Sequence, residues 1–312
     1  MIRSVPLYLT VATLALASGL AVFVAPNSEA AASDPATSNS KGWIEIKLTD
    51  TQRCFATNGL PDHDTGTFPN RGNPNAIEAQ EVRVCIPLQP EKAMTITPVR
   101  GTMGIAINGV VFRPNTAGFY DADAPRGHSP DGDRKWSVDI HGAPGKLGLD
   151  FNNAHVGPGG LYHYHGIANS LVQASGSSLI GFAGDGYPIH YIGEEAQAGY
   201  DLRSGTRTDS FGALTPGPGG DYDGTYNEDY VYVGGEGRLD PCNGGQLGGK
   251  YVYFVTDSYP FVPRCLTGKV SSDFNTSNHR VERGEERGER RRGDRDRGDR
   301  PDGDRPRRPR RN

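Results

Sequence analysis

Between Trp43 and Thr256 apolar and polar residues alternate in short runs, and glycine, proline and aspartate punctuate those runs. The alternation appears at Trp43-Ile44-Glu45-Ile46-Lys47-Leu48 and at Glu81-Val82-Arg83-Val84-Cys85-Ile86. It recurs at Gly104 to Phe112, Trp136-Ser137-Val138-Asp139-Ile140, Tyr187 to Ile192, Asp229-Tyr230-Val231-Tyr232-Val233 and Lys250 to Thr256. A two-residue period places successive side chains on opposite faces of a strand, so each run reads as β. No segment sustains a 3.6-residue period with caps, and one short helix is expected after Gly166. The 43 glycines and 23 prolines turn the chain often and weaken helices. The expected fold is mostly β, a single sandwich- or barrel-like domain with long Gly/Pro/Asp-rich loops.

The two ends differ from this middle. Arg3 precedes an apolar run from Val5 to Val24, and Ser28-Glu29-Ala30 fits a small-x-small cleavage rule. Residues 1–32 are therefore expected to be a secretory signal peptide, with an uncleaved membrane anchor as the alternative. Residues 33–41 read as a disordered lead-in, and the domain is placed at 42–280. Residues 281–312 form a tail in which, from Glu282 onward, thirteen Arg face nine Asp and Glu with no apolar side chain. Such a segment buries too little to offset its ordering entropy and is expected to be disordered. Its basic end, Arg305 to Arg311, suits anionic polymers or a cell surface, against a plain solubilising role. The net charge of −4 argues against nucleic acid as a partner of the globular part.

All four cysteines, Cys54, Cys85, Cys242 and Cys265, lie between the leader and the tail. An even count in an exported chain reads as disulfides. Three pairings exist, and closure of short local loops favours Cys54–Cys85 with Cys242–Cys265. Each would stabilise the fold by about 3–4 kcal/mol in the chain-entropy description.

Gly160-Leu161-Tyr162-His163-Tyr164-His165-Gly166 is the stretch richest in chemistry. On a strand His163 and His165 share one face while Tyr162 and Tyr164 share the other. Two adjacent imidazoles make half a metal site. His155 is the candidate third ligand, because Gly157-Pro158-Gly159-Gly160 can fold one segment back on the other. Three imidazoles with an open position suit catalytic zinc, and imidazole also suits copper and iron. The competing reading is a pair of hydrogen-bonded core or surface histidines. The tyrosines read as core packing.

Together with its surroundings this stretch resembles the YHYH-domain family of secreted proteins. The resemblance is carried by Asn108-Gly109-Val110 and by the central block Leu149-Asp150-Phe151-Asn152-Asn153-Ala154-His155-Val156 with Gly160 to Gly166. It continues through Ile180-Gly181-Phe182-Ala183-Gly184-Asp185-Gly186-Tyr187-Pro188-Ile189, Tyr222-Asp223-Gly224-Thr225 and Asp229-Tyr230. Leu239-Asp240-Pro241-Cys242-Asn243-Gly244 and the segment from Val255-Thr256-Asp257 to Pro263-Arg264-Cys265 close it, so that it spans about residues 100–268. The resemblance implies a soluble extracytoplasmic module with the two late cysteines paired, and no known activity. Pro241 stands where the family usually has an acidic residue, and His190-Tyr191 where Tyr-Gly is usual.

Asp185, in a Gly-Asp-Gly turn, and Asp150 are candidate supports of the histidine site, as a fourth ligand, an imidazole-orienting partner or a base, or else as turn carboxylates. Asp139 and His141 share a face, but His141 lies outside the recognised pattern. His63 and His128 occupy Asp/Gly/Pro loops and are expected to face solvent. Asp221-Tyr222-Asp223-Gly224 with Glu228 and Asp229, and Asp131-Gly132-Asp133, superficially resemble calcium loops without the full alternating ligand set. No nucleophile elbow, phosphate loop or His-Glu-x-x-His helix occurs.

Two functions compete on these residues. One is a secreted metal-binding protein, zinc or copper being the leading ions, that serves as a metalloenzyme if it is catalytic. The other is a non-catalytic extracellular β module that binds a glycan, a cell surface or a protein partner. A chain truncated after Asn278 is expected to melt at the temperature of the full protein; a marked drop would show that the tail packs on the domain.

Overall fold

The computed structural model describes residues 41–142, 147–208 and 217–274. The expected leader, nearly all of the lead-in and the charged tail lie outside the described residues. The strands are β1 (Ile44–Leu48), β2 (Gln52–Thr57), β3 (Val82–Pro87), β4 (Lys92–Pro98), β5 (Gly104–Ala106) and β6 (Val111–Phe112). Next come β7 (Phe119–Tyr120), β8 (His128–Ser129), β9 (Asp133–Ser137), β10 (Ala154–Val156), β11 (Tyr162–Tyr164) and β12 (Leu179–Ala183). The last six are β13 (Pro188–His190), β14 (Tyr200–Leu202), β15 (Tyr230–Tyr232), β16 (Gly244–Leu247), β17 (Lys250–Phe254) and β18 (Cys265–Gly268). One short helix, α1 (Asn169–Ser175), follows Gly166 and stops at Gly176, whose φ of 59° suits a helix terminus. The protein is mostly β.

The largest sheet has eight strands in the order β10-β11-β6-β5-β12-β13-β17-β16. It is mixed: β11 runs parallel to β6 and β13 parallel to β17, and the other neighbours are antiparallel. The apolar run from Gly104 to Phe112 forms two strands rather than one. Asn108-Gly109 bends it, with Gly109 at φ 88°, a conformation that glycine adopts without strain. β2, β4, β10 and β12 carry little or no clean alternation and went unrecognised in the sequence. They are buried on both faces, contain glycine, or place polar side chains on an exposed face.

Each face of the large sheet is covered. On one face Phe112, Tyr162, Tyr164, Ile180, Ile189 and Tyr253 join Leu171 of α1 in the main core. On the other face Ile105, Val111 and Leu161 meet Phe55, Val84 and Ile86 of the β1-β2-β3 sheet. Arg53 lies over the Phe182 ring at 3.9 Å and covers this second layer from the side. Fully burying each large side chain here contributes about 1.5–3 kcal/mol.

Cys54 is bonded to Cys85, which is its register partner across β2 and β3, and Cys242 is bonded to Cys265. The second bridge ties the loop before β16 to the start of β18. Disulfides form and persist in oxidising compartments. No helix among the described residues is long and apolar enough to cross a membrane. The two bridges close loops of 23 and 31 residues. Replacing Cys242 and Cys265 together with alanine is expected to cost about 3 kcal/mol, read as a lowered urea midpoint. An unchanged midpoint would show that the bridge adds nothing to packing that already holds the loops.

Candidate metal centre

Local chain geometry brings the three histidines together. β10 and β11 are antiparallel, and His155 is the direct register partner of His163. The connection between them needs two residues of positive φ, which Gly159 (88°) and Gly160 (85°) provide. His165 follows β11 by one residue, and its N–H donates to the Asn153 carbonyl at 2.7 Å. The ring centroids of His155, His163 and His165 form a nearly equilateral triangle with sides of 4.7, 4.8 and 4.8 Å. His163 and His165 are buried, and His155 is half-buried at the sheet's end.

Hydrogen bonding sets which nitrogens face inward. His155 Nδ1 lies 2.8 Å from the Leu147 carbonyl and His163 Nδ1 lies 3.0 Å from the Leu161 carbonyl. A carbonyl only accepts, so both Nδ1 atoms carry protons and both Nε2 atoms present lone pairs. Donation of the distal N–H to a backbone carbonyl is the usual way a metal-binding histidine is oriented. His165 Nε2 lies 3.2 Å from His155 Nε2, and His165 Nδ1 is buried without a partner. If Nε2 holds the His165 proton, Nδ1 is a bare buried acceptor; if Nδ1 holds it, two lone pairs meet. A cation at the centre removes the second conflict.

The spacing suits such an ion. One candidate nitrogen from each histidine can be chosen so that all three lie within 4.8 Å of one another. Tetrahedral ligation at about 2.0–2.1 Å per bond places nitrogens roughly 3.3 Å apart, and the His155–His165 edge already has that separation. Burial pushes His163 and His165 well below the usual imidazole value, with neighbouring imidazoles adding to the effect. Burial lowers His155 as well. The rings are neutral at pH 7, the state that ligates a metal.

Asp150 holds the frame of the centre from behind. It accepts from Asn152 N at 2.9 Å, Ala154 N at 3.2 Å, Gly66 N at 3.1 Å and Tyr162 Oη at 2.8 Å. It thereby fixes the start of β10 and the far face of β11, behind the three histidines. Asp185 does not reach the histidines. It sits in the β12–β13 turn, and three ladder spacings of about 4.8 Å separate β12 from β11. Its carboxylate accepts from Tyr253 Oη at 2.7 Å and Gly268 N at 2.9 Å. Support by Asp185 is therefore corrected to a structural role between β17 and β18.

The tyrosines are fully buried, and their hydroxyls are satisfied. Tyr164 Oη meets His63 Nε2 at 2.5 Å and accepts from Asn108 Nδ2 at 3.0 Å. His63 thus packs on the tyrosine pair instead of facing solvent, and His128 is half-buried in β8. The His141 ring packs at a tilt against Phe261, centroids 3.9 Å apart, and its Nε2 lies 3.1 Å from the His165 carbonyl. His190 sits in β13, where its Nδ1 lies 3.0 Å from Ser178 Oγ. Asn152 was also missed as a contributor. Its side chain donates to the Asp64 carbonyl and accepts from Ser170 N, joining the loop before β10 to α1.

The acidic calcium-like loop is committed elsewhere. Asp229 and Asp223 pair with the buried Arg207 at 2.8 and 2.6 Å, and Glu228 accepts from Ser137 N at 2.7 Å. Asp133 accepts from Lys135 N. Among the described residues only His155, His163 and His165 form a convergent group of three or more potential metal ligands.

A family model described as YHYH protein matches residues 83–268. Neither the curated proteins nor the solved structures contain a match.

Burial raises the Asp185 carboxyl above its ordinary value, against the pull of its hydrogen bonds. As pH rises from about 4, the unfolded chain releases this proton before the folded one, so stability is lost up to the folded value. Asp185→Asn carries no such loss. Its urea midpoint should gain on the parent between pH 4 and 7 while metal content stays the same. A constant difference across that range would show that burial does not raise this carboxyl, and a loss of metal would return Asp185 to the site.

Proposed function

The chain belongs to the YHYH protein family, and we propose that it binds one transition-metal ion through His155, His163 and His165 in an extracytoplasmic compartment. The carrying observation is the convergence of three imidazoles, two of them locked by backbone carbonyls that leave their Nε2 lone pairs free. Zinc and copper fit best, since the donor set is all imidazole and lacks thiolate and carboxylate. The disulfides support the location, because such bonds persist outside the reducing cytosol.

A metalloenzyme is the further reading. An ion held this way would act as a Lewis acid or change oxidation state at a position the protein leaves open. The protein's part is pre-organisation. Leu147 and Leu161 carbonyls set the ring tautomers, Asp150 anchors the start of β10, and the Tyr162 and Tyr164 rings hold β11 from its other face. A ligand set built on adjacent strands is held more rigidly than one carried on loops.

Elemental analysis of purified protein after metal reconstitution should give one zinc or copper per chain. The His163→Ala/His165→Ala double variant should lose it while keeping its circular dichroism spectrum. Equal metal content in parent and variant, or none in either, would reject the assignment.

A further inference from the structure

Arg113 is the charged group beside the histidines that nothing yet explains. It follows β6, and its N–H donates to the Tyr164 carbonyl at 2.9 Å. In the parallel β6–β11 register Val111 stands beside His163, so Arg113 stands beside His165 on the same face. Its guanidinium then extends across β11 toward β10. Nη1 lies 3.8 Å from the place a Cβ on Gly157 would occupy, and His163 Cε1 lies 3.4 Å from that same point. Gly157 is two residues beyond His155, so its Cβ direction is the histidine face. The absence of a side chain there leaves room between the guanidinium and the imidazoles. Nη2 borders a second bare position, 3.9 Å from where a Cβ on Gly101 would be.

Among the described residues the Arg113 guanidinium has no hydrogen-bond acceptor and no carboxylate partner; burial alone perturbs it, lowering its affinity for its proton. Buried Arg207 pairs with Asp229 at 2.8 Å, half-buried Arg264 pairs with Asp139 at 2.7 Å, and half-buried Arg53 lies over the Phe182 ring. A half-buried guanidinium stays charged and is costly without a counter-ion. The histidines add to the imbalance. Three neutral imidazoles bring no negative charge, so a bound dication would leave three positive charges side by side. Asp150 is the one carboxylate whose charge is felt at His155, but it lies behind β11 with its oxygens occupied by Gly66, Asn152, Ala154 and Tyr162 and accepts nothing from Arg113.

Resting on the metal reading above, we infer that the centre takes an oxyanion ligand, a carboxylate or a phosphate, held between the metal's open position and the fork of Arg113. A guanidinium presents two parallel N–H groups that match two oxygens of such a group, and charge-assisted bonds of this kind are about twice as strong as neutral ones. One oxygen would complete the metal's coordination while others accept from Arg113. The space beside Gly157 lies between the two positive groups. Arg113 is thereby a specificity-determining residue that selects anionic over neutral ligands.

The test uses the cobalt(II)-substituted full-length protein, whose visible spectrum reports ligand exchange at the metal. Acetate, phosphate and sulfate are titrated at constant ionic strength into the parent, Arg113→Met and Arg113→Lys. The parent should change spectrum saturably with at least one anion, and the preferred anion identifies the carboxylate or the phosphoryl class. Arg113→Met should weaken that binding about ten-fold or more at unchanged cobalt stoichiometry, and Arg113→Lys, which keeps charge without the fork, should fall between. A parent spectrum unmoved by all three anions, or an Arg113→Met affinity within two-fold of the parent, overturns the inference and leaves the metal site standing. Failure of the parent to take up cobalt overturns the metal reading itself.

Discussion

A strand buried on both faces must satisfy every polar atom it carries, and β11 with the residue after it carries four polar side chains. Tyr162 and Tyr164 are fully buried on one side, and His163 and His165 nearly so on the other. An unsatisfied buried polar group costs about 1–3 kcal/mol, so the surroundings of this strand are dictated by its partners. Asp150 answers Tyr162, and His63 and Asn108 answer Tyr164. The Leu161 carbonyl answers His163. Of these four side chains only His165 keeps a buried atom, Nδ1, without a partner, and its other nitrogen, Nε2, lies 3.2 Å from His155 Nε2. The unmet valence of the strand is concentrated at one point.

That concentration joins packing to chemistry. The tyrosines fill the main core beside Phe112 and anchor the strand, while the same backbone projects the imidazoles to the other side. Neighbouring carbonyls orient the rings, burial keeps them neutral, and the hairpin sets their distance. Few degrees of freedom remain for a ligand set to lose on binding, which is the physical content of a pre-organised site. The edge strand β10 is itself covered, because Asn73 and Asn75 both donate to the Val156 carbonyl. The centre therefore lies near the end of the large sheet without exposing a free strand edge there for pairing.

The arginines drawn into the fold meet carboxylates or an aromatic face, except Arg113. Buried Arg207 and half-buried Arg264 are paired, and the acidic loop around Asp223 and Asp229 owes its shape to the first pair. That loop resembles a cation site by composition because composition does not reveal that a distant arginine already occupies its carboxylates. Arg113, half-buried among imidazoles, breaks the rule at the place where a bound anion would restore it.

Much was legible in the residues themselves. The two-residue period and the turn residues determined a mostly β chain, the i, i+2 spacing divided Tyr162-His163-Tyr164-His165 into two faces, and the four cysteines implied disulfides. These are local properties: a strand's period and a turn's backbone preference are set by the nearest few residues. Only the tertiary structure decided that Asp150 backs the site while Asp185 ties β17 to β18, that His63 belongs to the tyrosines, and that Arg113 reaches the histidines. Each of those facts depends on strand order and register. A carboxylate in the β12–β13 turn and one beside β10 look alike in sequence, and the order of eight strands separates them. Register fixes which side chains share a face across a ladder, and that pairing is non-local because it is settled by the packing of the whole sheet.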